Sequence, residues 1–208
     1  GPAPTSGVIR PGTVTAFAGP SGAGKSTLVA CLLSDITPDA GQIRLRDQAS
    51  SRDDEGLALT DVDPTSWRSA ISWVPQSPTL VPGTILDNMG DLPQRDLDEA
   101  ARATGFDAVL ATTPDGWNST IGSGGVGLSV GQRQRLALTR ALAARSQVVV
   151  LDEPTAHLDA VSEETVVRAI HAMREEGRTV IVIAHRNAII EVADTIIDVA
   201  HADEEALA

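Results

Sequence analysis

The nine residues Gly19-Pro20-Ser21-Gly22-Ala23-Gly24-Lys25-Ser26-Thr27 follow the spacing GxxxxGK[ST]. An apolar run, Thr13–Ala18, precedes them, and a helical pattern from about Lys25 to Leu33 follows. Glycines let a backbone curl until successive N–H groups point inward, and the start of the next helix adds its positive end. Such a cradle suits a polyphosphate, with Lys25 as the full charge and Ser26 as a hydroxyl for a bound Mg²⁺. Lys25 is the one lysine among 16 basic side chains. A GC-rich coding sequence explains why lysine is scarce, but not why the survivor sits in this loop.

A second group able to do chemistry is Asp152-Glu153, at the end of Val148-Val149-Val150-Leu151. Continuous apolar runs of this length read as strands buried on both faces, and ligands in parallel sheets gather at the carboxyl ends of strands. Taken alone, such a pair is more often a plain strand end. Behind a phosphate loop, Asp152 becomes a Mg²⁺ carboxylate and Glu153 a base for an attacking water. Gln76, Ser129 and His185 also have plain readings, as a loop glutamine, a helix cap and a strand-end histidine.

Apolar strand-like runs alternate with helical patterns, which predicts an α/β fold with a mainly parallel sheet. Strands are expected at Thr13–Ala18, Gln42–Arg46, Ile71–Val74, Val148–Asp152, Thr179–Ala184 and Thr195–Val199. Helices are expected at Lys25–Leu33, within Thr84–Leu110 with Asp96 as an N-cap for Leu97–Thr104, at Val130–Ala144, at Ala160–Glu175 and from Arg186. Asp47–Asp63 reads as a polar surface loop, Thr112–Gly127 as an extended connector, and the acidic tail from His201 as frayed. Ser129 is placed to cap the helix it precedes. Arg133, Arg135 and Arg140 read as a solvated face of that helix.

Composition bounds the function. Acidic side chains outnumber basic ones 28 to 16, for a net charge of −12, which disfavours nucleic acid as a partner. The single cysteine, Cys31, permits no internal disulfide and lies among apolar residues that predict burial. No apolar run approaches membrane-spanning length, and Gly1–Gly12 has no signal-peptide pattern. The expectation is a soluble domain of 208 residues, with any membrane role supplied by a partner or a further segment.

The remaining motifs carry a family resemblance. Leu128-Ser129-Val130-Gly131-Gln132-Arg133-Gln134-Arg135 resembles the ABC signature with its QR continuation, ahead of a Walker B strand. Gln76 after Trp73-Val74-Pro75 resembles the Q-loop, Asp159 in Ala156-His157-Leu158-Asp159 the D-loop, and His185 the switch histidine. The chain is thereby identified as similar to the nucleotide-binding domains of ABC ATPases over nearly its whole length. The resemblance implies a P-loop NTPase core, a helical subdomain near 77–145 carrying the signature, and a truncated antiparallel β subdomain. It also implies ATP and Mg²⁺ as ligands. Ser26, Gln76 and Asp152 would be at the metal, Gly19–Thr27 on the phosphates, and Glu153 and His185 at the reacting γ-phosphate. Ser129, Val130, Gly131, Gln132 and Asp159 would meet the nucleotide of a second, head-to-tail domain. Gln76 would relay the nucleotide state to transmembrane domains at the cytoplasmic face of a bacterial inner membrane.

Pro82-Gly83-Thr84-Ile85-Leu86-Asp87-Asn88 and the stretch from Thr113 to Leu128 resemble the exporter branch. DEPTAHLD and WRSAISWVPQ resemble the bacterial CydC/CydD exporters, the D subunit more closely. Those exporters are linked to cytochrome bd assembly and to export of thiols such as cysteine or glutathione, with haem also proposed. Three departures matter. The family's adenine-stacking aromatic lies well upstream of the lysine, and this chain holds no Tyr, so the chain is expected to be part of a longer polypeptide with a transmembrane half. Val130 replaces the first signature glycine, and Ser123 stands where exporters often carry a glutamate. Competing readings are a non-transport ABC ATPase, a nucleotide-binding regulator without turnover, and a weakly active half of a heterodimer.

Overall fold

A computed structural model of the chain describes residues 5–46, 55–122, 125, 127–155, 160–184 and 186–200, with backbone alone at 160–162. In chain order the elements are β1 (Val14–Ala18), α1 (Lys25–Leu32), β2 (Arg44–Leu45), β3 (Leu57–Ala58), α2 (Pro64–Ser69), β4 (Ile71–Val74), β5 (Gly83–Thr84), α3 (Gln94–Ala103) and α4 (Asp107–Leu110). They continue with β6 (Thr120–Ile121), α5 (Val130–Ala143), β7 (Val148–Asp152), α6 (Ala160–Glu175), β8 (Thr179–Ile183), α7 (Asn187–Glu191) and β9 (Thr195–Asp198).

Five strands form one sheet in the order β4-β7-β8-β1-β9, every neighbouring pair parallel. The reason lies in the side chains. Val149, Val150, Leu151, Val180 and Val182 have no exposed surface, as strands covered on both faces require. On one face α1 packs Val29, Leu32 and Leu33 over Phe17, Val150, Ile181 and Ile183. On the other, Leu136 and Leu138 of α5 with Val166, Ile170 and Met173 of α6 cover Val149, Leu151, Val180 and Val182. Cys31 is buried on α1, as its neighbours predicted.

Four sequence expectations are corrected. The polar loop expected at Asp47–Asp63 is structured from residue 57: β3 pairs antiparallel with β2, Leu59 is buried, and Asp63 caps α2 by accepting from the Ser66 N–H at 2.8 Å. Its polar composition concealed a short hairpin and a helix. The helical stretch expected from Thr84 to Leu110 is broken: β5 pairs with β6, Pro93 starts α3, and Gly105 at φ +65° separates α3 from α4. Asp96 is not an N-cap but a first-turn residue that accepts from Arg145 at 3.1 Å. Arg133, Arg135 and Arg140 are not a solvated face. They donate to the carbonyls of Leu128, Gly105 and Asn88, because α5 is packed on several sides.

Candidate functional site

The turn from β1 to α1 is built by three glycines with positive φ: Gly19 at 149°, Gly22 at 81° and Gly24 at 94°. At Gly19 a Cβ would lie 2.1 Å from the Val199 carbonyl oxygen, so no larger residue fits. Gly24 stands at the N-cap of α1 with no side-chain cap, and the first turn holds no acidic residue. In a chain of net charge −12 an acid-free helix start favours an anion. Ala23 is buried and supports the loop through its N–H to the Pro20 carbonyl, while Pro20, Ser21, Ser26 and Thr27 are exposed along it.

The Lys25 side chain is turned into this loop. It is 4% exposed and its Nζ donates to the carbonyls of Gly19 at 3.0 Å and Pro20 at 2.7 Å. Burial pulls its pKa down, while the charges of Glu153 and Asp152 push it up. An ammonium held by carbonyl acceptors of its own loop is suited to exchange them for phosphate oxygens.

Register across the sheet brings the carboxylates to the same end. Asp152 of β7 pairs with Ile183 of β8, which pairs in turn with Phe17 of β1. Asp152 is therefore two strand spacings, about 10 Å, from the strand that feeds the loop. Strand alternation puts it on the α1 face with Val148 and Val150. Its carboxyl is pushed above the ordinary range, first by burial and then by Glu153, with Lys25 opposing. A carboxylate uncomfortable in its charged form is one that a divalent cation would relieve.

Glu153 leaves the strand with φ at +46°, in the left-handed region, and its N–H donates to the Ile183 carbonyl at 3.1 Å. Non-glycine residues adopt this conformation at a cost, and it concentrates at functional sites. The Glu153 carboxylate accepts from Gln76 Nε2 at 2.8 Å. Register explains the meeting. Val74 of β4 pairs with Leu151 of β7, and Gln76 and Glu153 each lie the same distance beyond that pair. Sequence reasoning named both residues but missed their direct bond, which depends on the Val74–Leu151 register.

Ser129 caps α5, and Val130, Gly131 and Gln132 form its first turn. Ser129 Oγ accepts from the Gln132 N–H at 3.2 Å, and the Ser129 N–H donates to Gln132 Oε1 at 2.8 Å, a reciprocal capping box. Val130 is 51% exposed at this helix start. Asp159, His185 and Ser123 lie outside the described residues.

Comparison with known proteins agrees with this geometry. The family model described as ABC transporter matches residues 4–156. The chain is 40% identical over 192 residues to the ATP-dependent lipid A-core flippase of Burkholderia pseudomallei, covering 91% of this chain and 30% of that protein. It is 38% identical over 194 residues to the mycobactin import ATP-binding/permease protein IrtB of Mycolicibacterium thermoresistibile, covering 91% and 32%. A solved structure of a bacterial Atm1-family ABC exporter with ATP bound superposes with a TM-score of 0.80 at 32% identity, over 91% of this chain and 32% of that one. The chain thus spans about a third or less of the length of the curated relatives it matches. Among the described residues, no helix is long and apolar enough to cross a membrane. A parallel α/β core with a lysine-bearing phosphate loop, matched along most of its length by one family, leaves one assignment: the chain belongs to the ABC transporter family, as an ATPase domain.

Proposed function

We propose that this domain binds MgATP on the loop from Gly19 to Thr27 and hydrolyses it as the motor of an ABC exporter, paired head-to-tail with a second such domain. The observation that carries the reading is the convergence at the carboxyl end of one parallel sheet of a buried lysine with exchangeable acceptors and a base held by an amide. Gly19, Pro20, Ser21, Gly22, Ala23, Gly24, Ser26 and Thr27 supply the cradle, and Lys25 would trade the Gly19 and Pro20 carbonyls for phosphate oxygens. Ser26, Gln76 and Asp152 would hold Mg²⁺, whose charge offsets that of the phosphate oxygens. Glu153 would take a proton from the attacking water once Gln76 shifts its amide. From the family resemblance, His185 would face the γ-phosphate and Asp159 the domain interface.

The same resemblance assigns Ser129, Val130, Gly131 and Gln132 to the partner domain's nucleotide. The capping box fixes this helix start while spending the Ser129 and Gln132 N–H groups within itself, so the partner's phosphate would meet the N–H groups of Val130 and Gly131. A half-exposed branched Val130 stands where the partner's phosphate would approach, which favours a heterodimer with one weaker composite site. We take the helical part of this single 1–208 domain to be 77–145, with transmembrane domains as further partners at the cytoplasmic face of a bacterial inner membrane. The narrower CydC/CydD reading, with thiol or haem-related cargo, rests on motif strings alone. The relatives compared carry lipid A-core, multidrug and mycobactin in their names.

Glu153→Gln tests the proposal. The variant is expected to bind ATP, to release phosphate at under about one-hundredth of the parental rate, and to associate when ATP is added, as read by light scattering. Parental phosphate release by Glu153→Gln would overturn the role of Glu153, and its failure to associate would overturn the pairing.

A further inference from the structure

Arg178 lies in the turn between α6 and β8, one residue before Thr179 begins the strand. It is 2% exposed, and its guanidinium is spent on one end of α5. Nη2 donates to the Ala141 carbonyl at 2.7 Å, Nη1 to Leu142 at 3.1 Å and Nε to Ser146 at 2.8 Å, while Glu176 approaches Nη1 at 3.5 Å. The last carbonyls of a helix lack intrahelical partners and form its negative end, so a planar cation with forked donors satisfies several at once.

A second arginine ties the same end to another helix. Arg145, just past the helix, adopts φ +51° and its Nη2 donates to Asp96 at 3.1 Å and Glu99 at 3.2 Å, both on α3. The carbonyl end of α5 is thus fastened to the sheet by Arg178 and to α3 by Arg145. The opposite end differs: Ser129 and Gln132 cap each other, Val130 is half exposed, and among the described residues the side-chain tie of that half to another element is the longer bond from Arg135 to the Gly105 carbonyl at 3.5 Å.

We propose that Arg178 is a positioning residue that fixes the direction of α5 relative to the sheet, and so the place of Ser129, Val130 and Gly131. The proposal builds on the paired-site reading above. Lever geometry shows why the anchor matters. Fourteen helical residues at about 1.5 Å each make an arm of about 21 Å, so a tilt of about 3° at Ala143 moves Ser129 by about 1 Å. Displacements of about that size are enough to spoil a site that must grip a phosphate. Arg178 also sits at the start of β8, the strand between β7 and β1. The helix is therefore referenced to the strand that flanks both the carboxylates and the phosphate loop.

The experiment measures direction rather than activity. In a Cys31→Ser background, spin labels are placed at Val130→Cys and Ile196→Cys, both exposed positions, and the distance distribution is read by pulsed electron paramagnetic resonance. Arg178→Met is expected to broaden the distribution about twofold, and Arg178→Lys, which keeps the charge but loses the fork, by an intermediate amount. Ile189→Ala, a destabilising change at a fully buried residue, is expected to leave the width unchanged. Parental widths in both arginine variants would overturn the proposal, as would equal broadening in the Ile189→Ala control. If Arg178→Met does not fold, a parental width in Arg178→Lys alone overturns it. Light scattering of the same arginine variants in the Glu153→Gln background, with ATP, separates the two ideas. Broadening without any ATP-driven association of the parent supports the anchor and removes the pairing; broadening with association lost only in the arginine variants supports both.

Discussion

Replacing Asp152 by asparagine is expected to stabilise the nucleotide-free domain while removing its response to MgATP. The carboxyl is half-buried, and the first two causes of its raised pKa, burial and the neighbouring Glu153, outweigh the attraction of Lys25. Two like charges on neighbouring side chains repel by roughly 3 kcal/mol at an effective dielectric constant of about 20. Solvent screening at a half-exposed site leaves about 1 kcal/mol of that. For a domain of this size, 1 kcal/mol corresponds to about 2–4 °C in Tm. The sign follows from linkage. A carboxyl raised in the folded state binds a proton that the unfolded chain has released, so stability falls as pH rises from the ordinary carboxylate range to the raised value. The advantage of Asp152→Asn should therefore be small in acid and complete at neutral pH. With MgATP at about 100 times its Kd the parent gains about 2.7 kcal/mol, and a variant without the metal carboxylate gains far less. Thermal unfolding at neutral pH should then rank the variant above the parent without ligand and below it with MgATP. An Asp152→Asn domain that melts at or below the parental temperature without ligand would refute the electrostatic reasoning. One that gains as much from MgATP as the parent would refute the metal assignment.

Lys25→Ala removes the ammonium that bonds to Gly19 and Pro20. Calorimetry should show MgATP binding weakened at least about 100-fold, the equivalent of roughly 3 kcal/mol, and parental affinity would refute the site. Ser129→Ala deletes one half of the capping box. It should cost about 1 kcal/mol and lower the Tm by about 2–4 °C, whereas an unchanged Tm would show that the box does not hold α5 in solution.

The sequence by itself determined whatever depends on neighbours in the chain. The glycine spacing from Gly19 to Gly24 dictates a turn that only such residues can make, and Lys25 follows it by adjacency. The run of four apolar residues before Asp152 was enough to bury β7, and Ser129 with Gln132 three residues later encoded their own helix start. The strands of the main sheet were legible for the same reason. Where Gly, Pro and polar residues interrupt the pattern, as from Asp47 to Asp63 and from Thr84 to Leu110, local signals were too weak to show the short β2–β3 and β5–β6 pairings. Each of those ladders is only two residues long, too short to show an alternating pattern, and the β5–β6 pair joins residues well separated in sequence. Tertiary structure decided what depends on register and packing. It set Gln76 against Glu153, 77 positions away, because Val74 and Leu151 are paired and each side chain stands two residues beyond that pair. It turned Lys25 onto the carbonyls of its own loop, because burial there left the ammonium other acceptors to find. It spent Arg178 on the far end of α5, where a helix terminus needed donors that no residue of the helix could supply.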